Sequence, residues 1–164
     1  MRAERVVNVV IAGLGGQGVV KASDILADAA FRDGYDVKKA EVHGMSQRGG
    51  SVSSDVRFGP VVLSPMVPEG EADFLLVMED TQEAPTRHML RSDGIVLRAS
   101  AVRVEELPSP KTLNVAALGM LSVRLPVTKA AWEAAVRAAL PEKLHEMNMQ
   151  AFAVGRRNGE KEKE

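Results

Sequence analysis

Residues 6–18 read "VVNVVIAGLGGQG", and the reading of this stretch decides the fold. Val6 to Ala12 is a nearly continuous β-branched run, the pattern of a strand covered on both faces. It breaks into glycines and then into "VVKASDILADAAFRDG", where Val19, Ala22, Ile25, Leu26, Ala29 and Ala30 recur at helical spacing. Gly34 supplies a C-terminal stop, and "YDVKKAEV" (35–42) reads as a second strand. Strand, glycine turn, helix and strand make a βαβ unit, for which a right-handed crossover is expected.

The turn places Gly13, Gly15 and Gly18 at G-x-G-x-x-G spacing, with Gly16 and Gln17 between them. A strand before and a helix after are the context the dinucleotide fingerprint requires. Glu41, near the end of the second strand, stands about where a ribose-binding acid is expected. The phosphate loop of nucleotide hydrolases does not fit, because Val19 occupies the position of its lysine. Three readings stay open: a dinucleotide site, a glycine turn that serves only tight packing, and a cofactor contact made together with another subunit.

Directly after the second strand, "EVHGMSQRGGSV" (41–52) crowds Glu41, His43, Ser46, Gln47 and Arg48 around Gly49 and Gly50. Connections between elements are usually short, and chemically dense loops are where sites are built. Arg48 offers a planar fork of donors suited to carboxylate or phosphate. The glycine pair lets backbone approach a neighbour closely. A built site is the functional reading of the whole stretch, and a long solvated loop is the alternative.

Further along, "SVSSDVRF" alternates apolar and polar residues and, with "VVLS", suggests a hairpin or a pair of edge strands with one wet face. "ADFLLVMED" is a buried strand ending in acids, a short helix covers 85–90, "IVLRA" is another strand and "VRVEEL" a weaker one. "TLNVAALGMLSVRL" is apolar nearly all round and reads as a buried helix. Thr128 caps "KAAWEAAVRAAL", and Pro141 opens "PEKLHEMNMQAFAVG". The expected fold is α/β: a Rossmann-like, mostly parallel sheet with flanking helices and a helical C-terminal part. Residues 1–154 are expected to form one domain, followed by a charged, disordered tail over 155–164.

Composition narrows the function. A net charge of −1 and 4% aromatic residues offer no drive toward nucleic acid and no stacking platform. No apolar run approaches the roughly 20 residues that cross a bilayer, so neither a membrane partner nor a leader is expected, and the setting is read as cytoplasmic. With no cysteine, the chain has no thiolate nucleophile, no Cys-ligated zinc and no holder for an iron–sulfur cluster. The three histidines are scattered without paired spacing. No metal site and no catalytic residue are assigned.

Taken together, "GLGGQGVVKASDILADAAFRDGYDV", "EVHGMSQRGGSVSSDVRFG" and "EADFLLVMED", in this order, resemble the gamma-type domain of the 2-oxoacid:ferredoxin oxidoreductases. The phrase "HGMSQRGGSV" resembles the beta subunits of the indolepyruvate branch in particular, and "LNVAALGML" and "EMNMQAFAVG" resemble the family's closing helices. The resemblance covers nearly the whole chain. Between "IVLRA" and Asn114 the family carries a longer segment than "SAVRVEELPSPK". The resemblance implies an enzyme complex that converts a 2-oxoacid and coenzyme A into acyl-CoA and CO2 and passes electrons to ferredoxin. Thiamine diphosphate, magnesium and iron–sulfur clusters then belong to an alpha subunit. This chain becomes a required subunit, inactive by itself and binding none of these groups alone. The resemblance then puts Glu41, His43, Ser46, Gln47, Arg48, Gly49 and Gly50 at the alpha-subunit interface, near the cofactor or coenzyme A path. Otherwise Gln47 and Arg48 brace the two glycine loops of this domain. A stand-alone dinucleotide-binding protein and an assembly scaffold are the alternatives.

Overall fold

Alternation along the first strand, β1 (Val7–Leu14), organises the molecule. Val9 and Ile11 are fully buried against Ile25 and Leu26, while Val10 and Ala12 pack on the other side with Val67, Leu75 and Val77. The sheet therefore has a thick helical layer on one face and a thin cover on the other. The structure, a computed structural model, describes residues 2–44 and 49–164.

The thick layer holds α1 (Val19–Arg32), α3 (Leu113–Ser122), α4 (Lys129–Ala139) and α5 (His145–Lys163). Helix α3 is buried from Val115 through Ser122, as its all-round apolar sequence predicts. Thr128 caps α4, its Oγ1 accepting from the Ala131 N–H at 3.2 Å. Trp132 of α4 packs on Phe152 of α5 with ring centroids 5.9 Å apart. The thin side carries the short α2 (Glu83–Thr86), flanked by 3-10 turns at Asp80–Gln82 and Arg87–Met89.

The remaining strands are β2 (Asp36–His43), β3 (Ser51–Gly59), β4 (Ala72–Val77) and β5 (Leu90–Arg98). Their order is β2-β3-β1-β4-β5. The α/β class with flanking and C-terminal helices is as expected, but the sheet is mixed rather than mostly parallel. β1 pairs in parallel with β4, and β4 with β5, whereas β3 runs antiparallel to both β1 and β2. β1 and β2 are thus parallel but not neighbours, because β3 fills the gap that the βαβ reading left closed.

The same insertion corrects the expected hairpin. Residues 61–64 form no strand, and β3 pairs instead with β2, His43 facing Val52 and Asp36 facing Gly59. Val52, Val56 and Phe58 belong to the helical core on one face, and Asp55 is buried on the other. The alternation that suggested one wet face is that of a central strand whose polar side is also covered. The described parts of "EVHGMSQRGGSV" are accordingly paired ends of β2 and β3, with the Gly44 N–H donating to the Ser51 carbonyl at 2.6 Å.

Two further expectations fail locally. Val104–Glu106 is a 3-10 turn rather than a weak strand. Ion pairs from Arg103 to Glu105 and Glu106 bind that segment to itself. The C-terminal segment is not a disordered tail: α5 continues to Lys163, with Gly155, Asn158 and Gly159 buried. Asn158 Oδ1 accepts the Arg103 N–H at 2.9 Å. Lys163 Nζ donates to the Val123 carbonyl at 2.9 Å, fastening the last turn to the end of α3. Gly155 and Gly159, four residues apart, let the α5 backbone lie directly on that of α3. A Cβ on Gly155 would stand 1.8 Å from the Ala116 carbonyl oxygen.

Candidate functional site

The C-terminal ends of β1, β2, β4 and β5 share one edge of the sheet with the start of antiparallel β3. From that edge the chain leaves β1 toward α1 on the thick side and β4 toward α2 on the thin side. Such a divergence opens a crevice where α/β sheets bind their ligands. Both dense stretches picked out in the sequence meet here. The Gly15 N–H donates to the Gly50 carbonyl at 2.8 Å, and a Cβ on Gly15 would lie 3.4 Å from Gly49 N.

Around that contact the predicted residues that the structure describes each have a definite place. Gly13 is the last well-buried position of β1, facing Val52 of β3. Gly16 is exposed at the turn. Gly18 adopts φ 78° as the residue before α1, and a side chain there would also strike the Asn114 amide, 2.4 Å from the Cβ position. Gln17 is a strap: its Oε1 accepts from the Leu14 N–H at 2.7 Å and its Nε2 donates to Glu79 Oε2 at 2.8 Å. His43 is exposed and lines, with Gly15, Gly16, Gly18 and Lys21, a shallow cavity of about 430 Å³. Glu41 is engaged along β2. It accepts from Lys39 Nζ at 2.5 Å and lies 3.7 Å from His43 Nε2, and Lys39 also bridges to Asp24 of α1. The Lys39 ammonium holds the Glu41 carboxyl below its usual pKa, with His43 adding to it against the effect of burial. Ser46, Gln47 and Arg48 lie outside the described residues.

Glu79 and Asn114 belong to the same crevice and were not assigned from the sequence. Their signals were present. Glu79 is an acid at the C-terminal end of a buried strand, and Asn114 is the polar residue in the first turn of an otherwise apolar helix. Across β3, on the thin side, a groove of about 330 Å³ runs between Met66 and Met89 with Asp55 at its floor. Burial pushes the Asp55 carboxyl up, partly offset by the Val67 N–H and by Arg57.

Chemically this edge offers a helix start without a side-chain cap, Lys21, and exposed glycine backbone. It suits an anionic group or the backbone of another chain. It does not suit a dinucleotide in the usual way. The second fingerprint glycine serves to let pyrophosphate approach, and here that side of Gly15 is taken by Gly49 and Gly50. NAD(H) or NADP(H) near 1 mM is therefore expected to leave the melting temperature of the isolated chain unchanged, although a site of ~1 mM affinity would half-fill. A saturable rise would restore the dinucleotide reading. Nor do the residues fit the groups that the family resemblance brings with it. There is no cysteine to hold a cluster, and the described residues contain no group of three metal-ligating side chains.

The sequence profile described as pyruvate ferredoxin/flavodoxin oxidoreductase matches residues 8–108, from β1 through the turns that follow β5. The indolepyruvate oxidoreductase subunit IorB of Thermococcus kodakarensis is 33% identical, over 90% of this chain and 93% of the relative. The 2-oxoglutarate synthase subunit KorC of Archaeoglobus fulgidus is 28% identical, over 92% of this chain and 87% of its own length. Among solved structures, the gamma subunit of a keto/oxoacid ferredoxin oxidoreductase from Geobacter sulfurreducens superposes with a TM-score of 0.79 at 23% identity. That superposition spans 96% of this chain and 98% of the other, a likeness of fold. With a profile match across most of the sheet and a full-length relative at one-third identity, the chain belongs to the pyruvate ferredoxin/flavodoxin oxidoreductase family.

Proposed function

We propose that this chain is the gamma-type subunit of a 2-oxoacid:ferredoxin oxidoreductase acting on indolepyruvate or another aryl pyruvate. Its glycine-loop edge meets the catalytic subunit near the cofactor or coenzyme A path. The observation that carries this reading is the Gly15–Gly50 contact. It joins the two stretches that carry the family resemblance into one exposed edge. Subunit names among the relatives favour the complex, and the higher identity of the indolepyruvate relative favours the aryl substrate.

In this reading an alpha subunit supplies thiamine diphosphate, magnesium and the iron–sulfur clusters. The 2-oxoacid loses CO2, its acyl group passes to coenzyme A, and the electrons leave to ferredoxin. This chain positions and encloses; Gln17, Glu79 and Asn114 keep its glycine edge rigid, so that little order is lost on docking. Co-expression with the large subunit, followed by coenzyme A-dependent ferredoxin reduction with indolepyruvate, pyruvate and 2-oxoglutarate, tests it. Turnover that is the same with and without this chain would overturn the proposal, and preference for pyruvate or 2-oxoglutarate would overturn the substrate.

Arg48 sharpens the test. Its guanidinium is assigned to the intersubunit contact, so Arg48→Ala is expected to leave the isolated chain within ~0.5 kcal/mol of wild-type stability. In the complex it should cost ~2–5 kcal/mol by stranding the partner's charge. Arg48→Lys keeps the charge but loses the fork, and should recover assembly only in part. A destabilised monomer that still assembles and turns over normally would place Arg48 inside this domain instead.

A further inference from the structure

The end of the sheet opposite the glycine edge carries a second polar concavity, of about 500 Å³, between the start of β1, the end of β3 and the start of β5. Three arginines line it: Arg5, Arg57 and Arg91. We propose that they form a binding site for an oxyanion, a carboxylate or a phosphate group, independent of the catalytic partner.

Buried Asp73 and Asn8 orient the arginines, with exposed Ser64 and Asp93 adding to them. Asp73, 7% exposed, accepts from Arg5 Nη2 at 2.8 Å, Arg5 Nη1 at 3.3 Å and Arg91 Nη1 at 2.9 Å, as well as from the Asn8 N–H at 2.8 Å. Arg57 Nε donates to Asn8 Oδ1 at 2.8 Å, and its Nη1 reaches the Ser64 carbonyl and hydroxyl oxygens at 3.0 and 3.1 Å. Arg91 Nε meets Asp93 at 2.6 Å. Each fork is thus held by one part of its donor set. Among the described residues, Arg5 Nε, Arg57 Nη2 and Arg91 Nη2 make no side-chain or backbone hydrogen bond.

Planar forks fixed in this way match the paired oxygens of a carboxylate or phosphate better than flexible ammonium groups do. The wall opens at Gly70, where φ is 76° and no atom lies within 4 Å of a Cβ position. Room for a ligand group therefore exists beside the donors. Buried Asp73 pairs with both Arg5 and Arg91, and Asp93 with Arg91, so the positive charge of the site is partly neutralised. Recognition rests on short, directed N–H contacts, and because Arg5 and Arg91 are exposed, binding should weaken as salt rises.

The test uses the full chain, titrated with inorganic phosphate and with succinate against sodium chloride at matched ionic strength. The readouts are the arginine Nε–H resonances and the melting temperature. A saturable shift confined to Arg5, Arg57, Arg91 and their neighbours Asn8 and Ser92 is expected, and Arg57→Lys should weaken it about tenfold, a typical loss for one charge-assisted contact. Arg5→Gln, at the most exposed of the three, serves if Arg57→Lys fails to fold. Succinate bound in preference to phosphate identifies a carboxylate ligand, and the reverse preference a phosphorylated one. Equal responses to chloride, or shifts spread over the whole surface, would overturn the site.

Discussion

Gly155→Val is expected to lower the melting temperature by about 5–10 °C. The Cβ would stand 1.8 Å from the Ala116 carbonyl oxygen and 2.7 Å from its carbon, both backbone atoms of a buried helix. Neither can swing aside as a side chain does, so α3 and α5 must separate. Overpacking against backbone stands at the upper end of the usual ~1–3 kcal/mol, above the ~0.5 kcal/mol or less that exchanging glycine for valine gains in helix propensity. At a few degrees per kcal/mol for a chain of this size, the loss is large. Glu160→Ala, on the exposed side of the same helix, should change stability by less than ~0.5 kcal/mol. Deleting 155–164 should resemble Gly155→Val. If the deletion left the melting temperature unchanged, the last turns of α5 would contribute nothing to the core.

Asp73→Ala is the second large effect expected, a loss of ~2–4 kcal/mol at pH 7. Breaking a buried ion pair costs ~3–5 kcal/mol, reduced here because Arg5 is 64% exposed and Arg91 39% exposed, where solvent screens the stranded charge. Burial would raise the Asp73 carboxyl, but Arg5, the Asn8 N–H and Arg91 together outweigh it and hold its pKa below the usual 3.8. A carboxyl depressed in the folded state contributes its stability in full above the unfolded value. The contribution is lost as pH falls through the folded one. The gap between wild type and Asp73→Ala should therefore be constant from neutral pH down to about 4 and close below it. Urea melts of both proteins between pH 7 and pH 2 measure this, and a gap that widens on acidification would refute it.

Much of the fold was legible where one face of an element sees one environment. The periodicity of α1, the buried run of β1 and the cap of α4 each follow from local sequence, and each stands in the structure. The sheet order was not legible, because the alternation in β3 is the same whether its polar face meets water or a covering segment. Only the burial of Asp55 under Val67 tells them apart. The C-terminal residues were misread for a related reason. A run of Arg, Glu and Lys looks solvated, yet Gly155 and Gly159 lie against α3 and Asn158 is buried against the backbone at Arg103. At the glycine edge, Gly15 and Gly50 were each marked by their sequence neighbourhoods. Their mutual contact, and the parts of Glu79 and Asn114 in supporting it, depend on residues far apart in the chain.

The place of β3 between β1 and β2 also sets an order of assembly during synthesis. β1 emerges first but has no strand to pair with, since β2 follows it in parallel and one position too far away. Only when β3 is complete can the local β2–β3 hairpin form and dock as a unit on one edge of β1, with α1 closing over the joint. The other edge of β1 then waits for β4, and β4 for β5, both slow parallel pairings between distant segments. Until β4 arrives, the most apolar strand of the protein presents an open edge. A ribosome that stalls between the end of β3 and the end of β4 would therefore display this chain in its most aggregation-prone form.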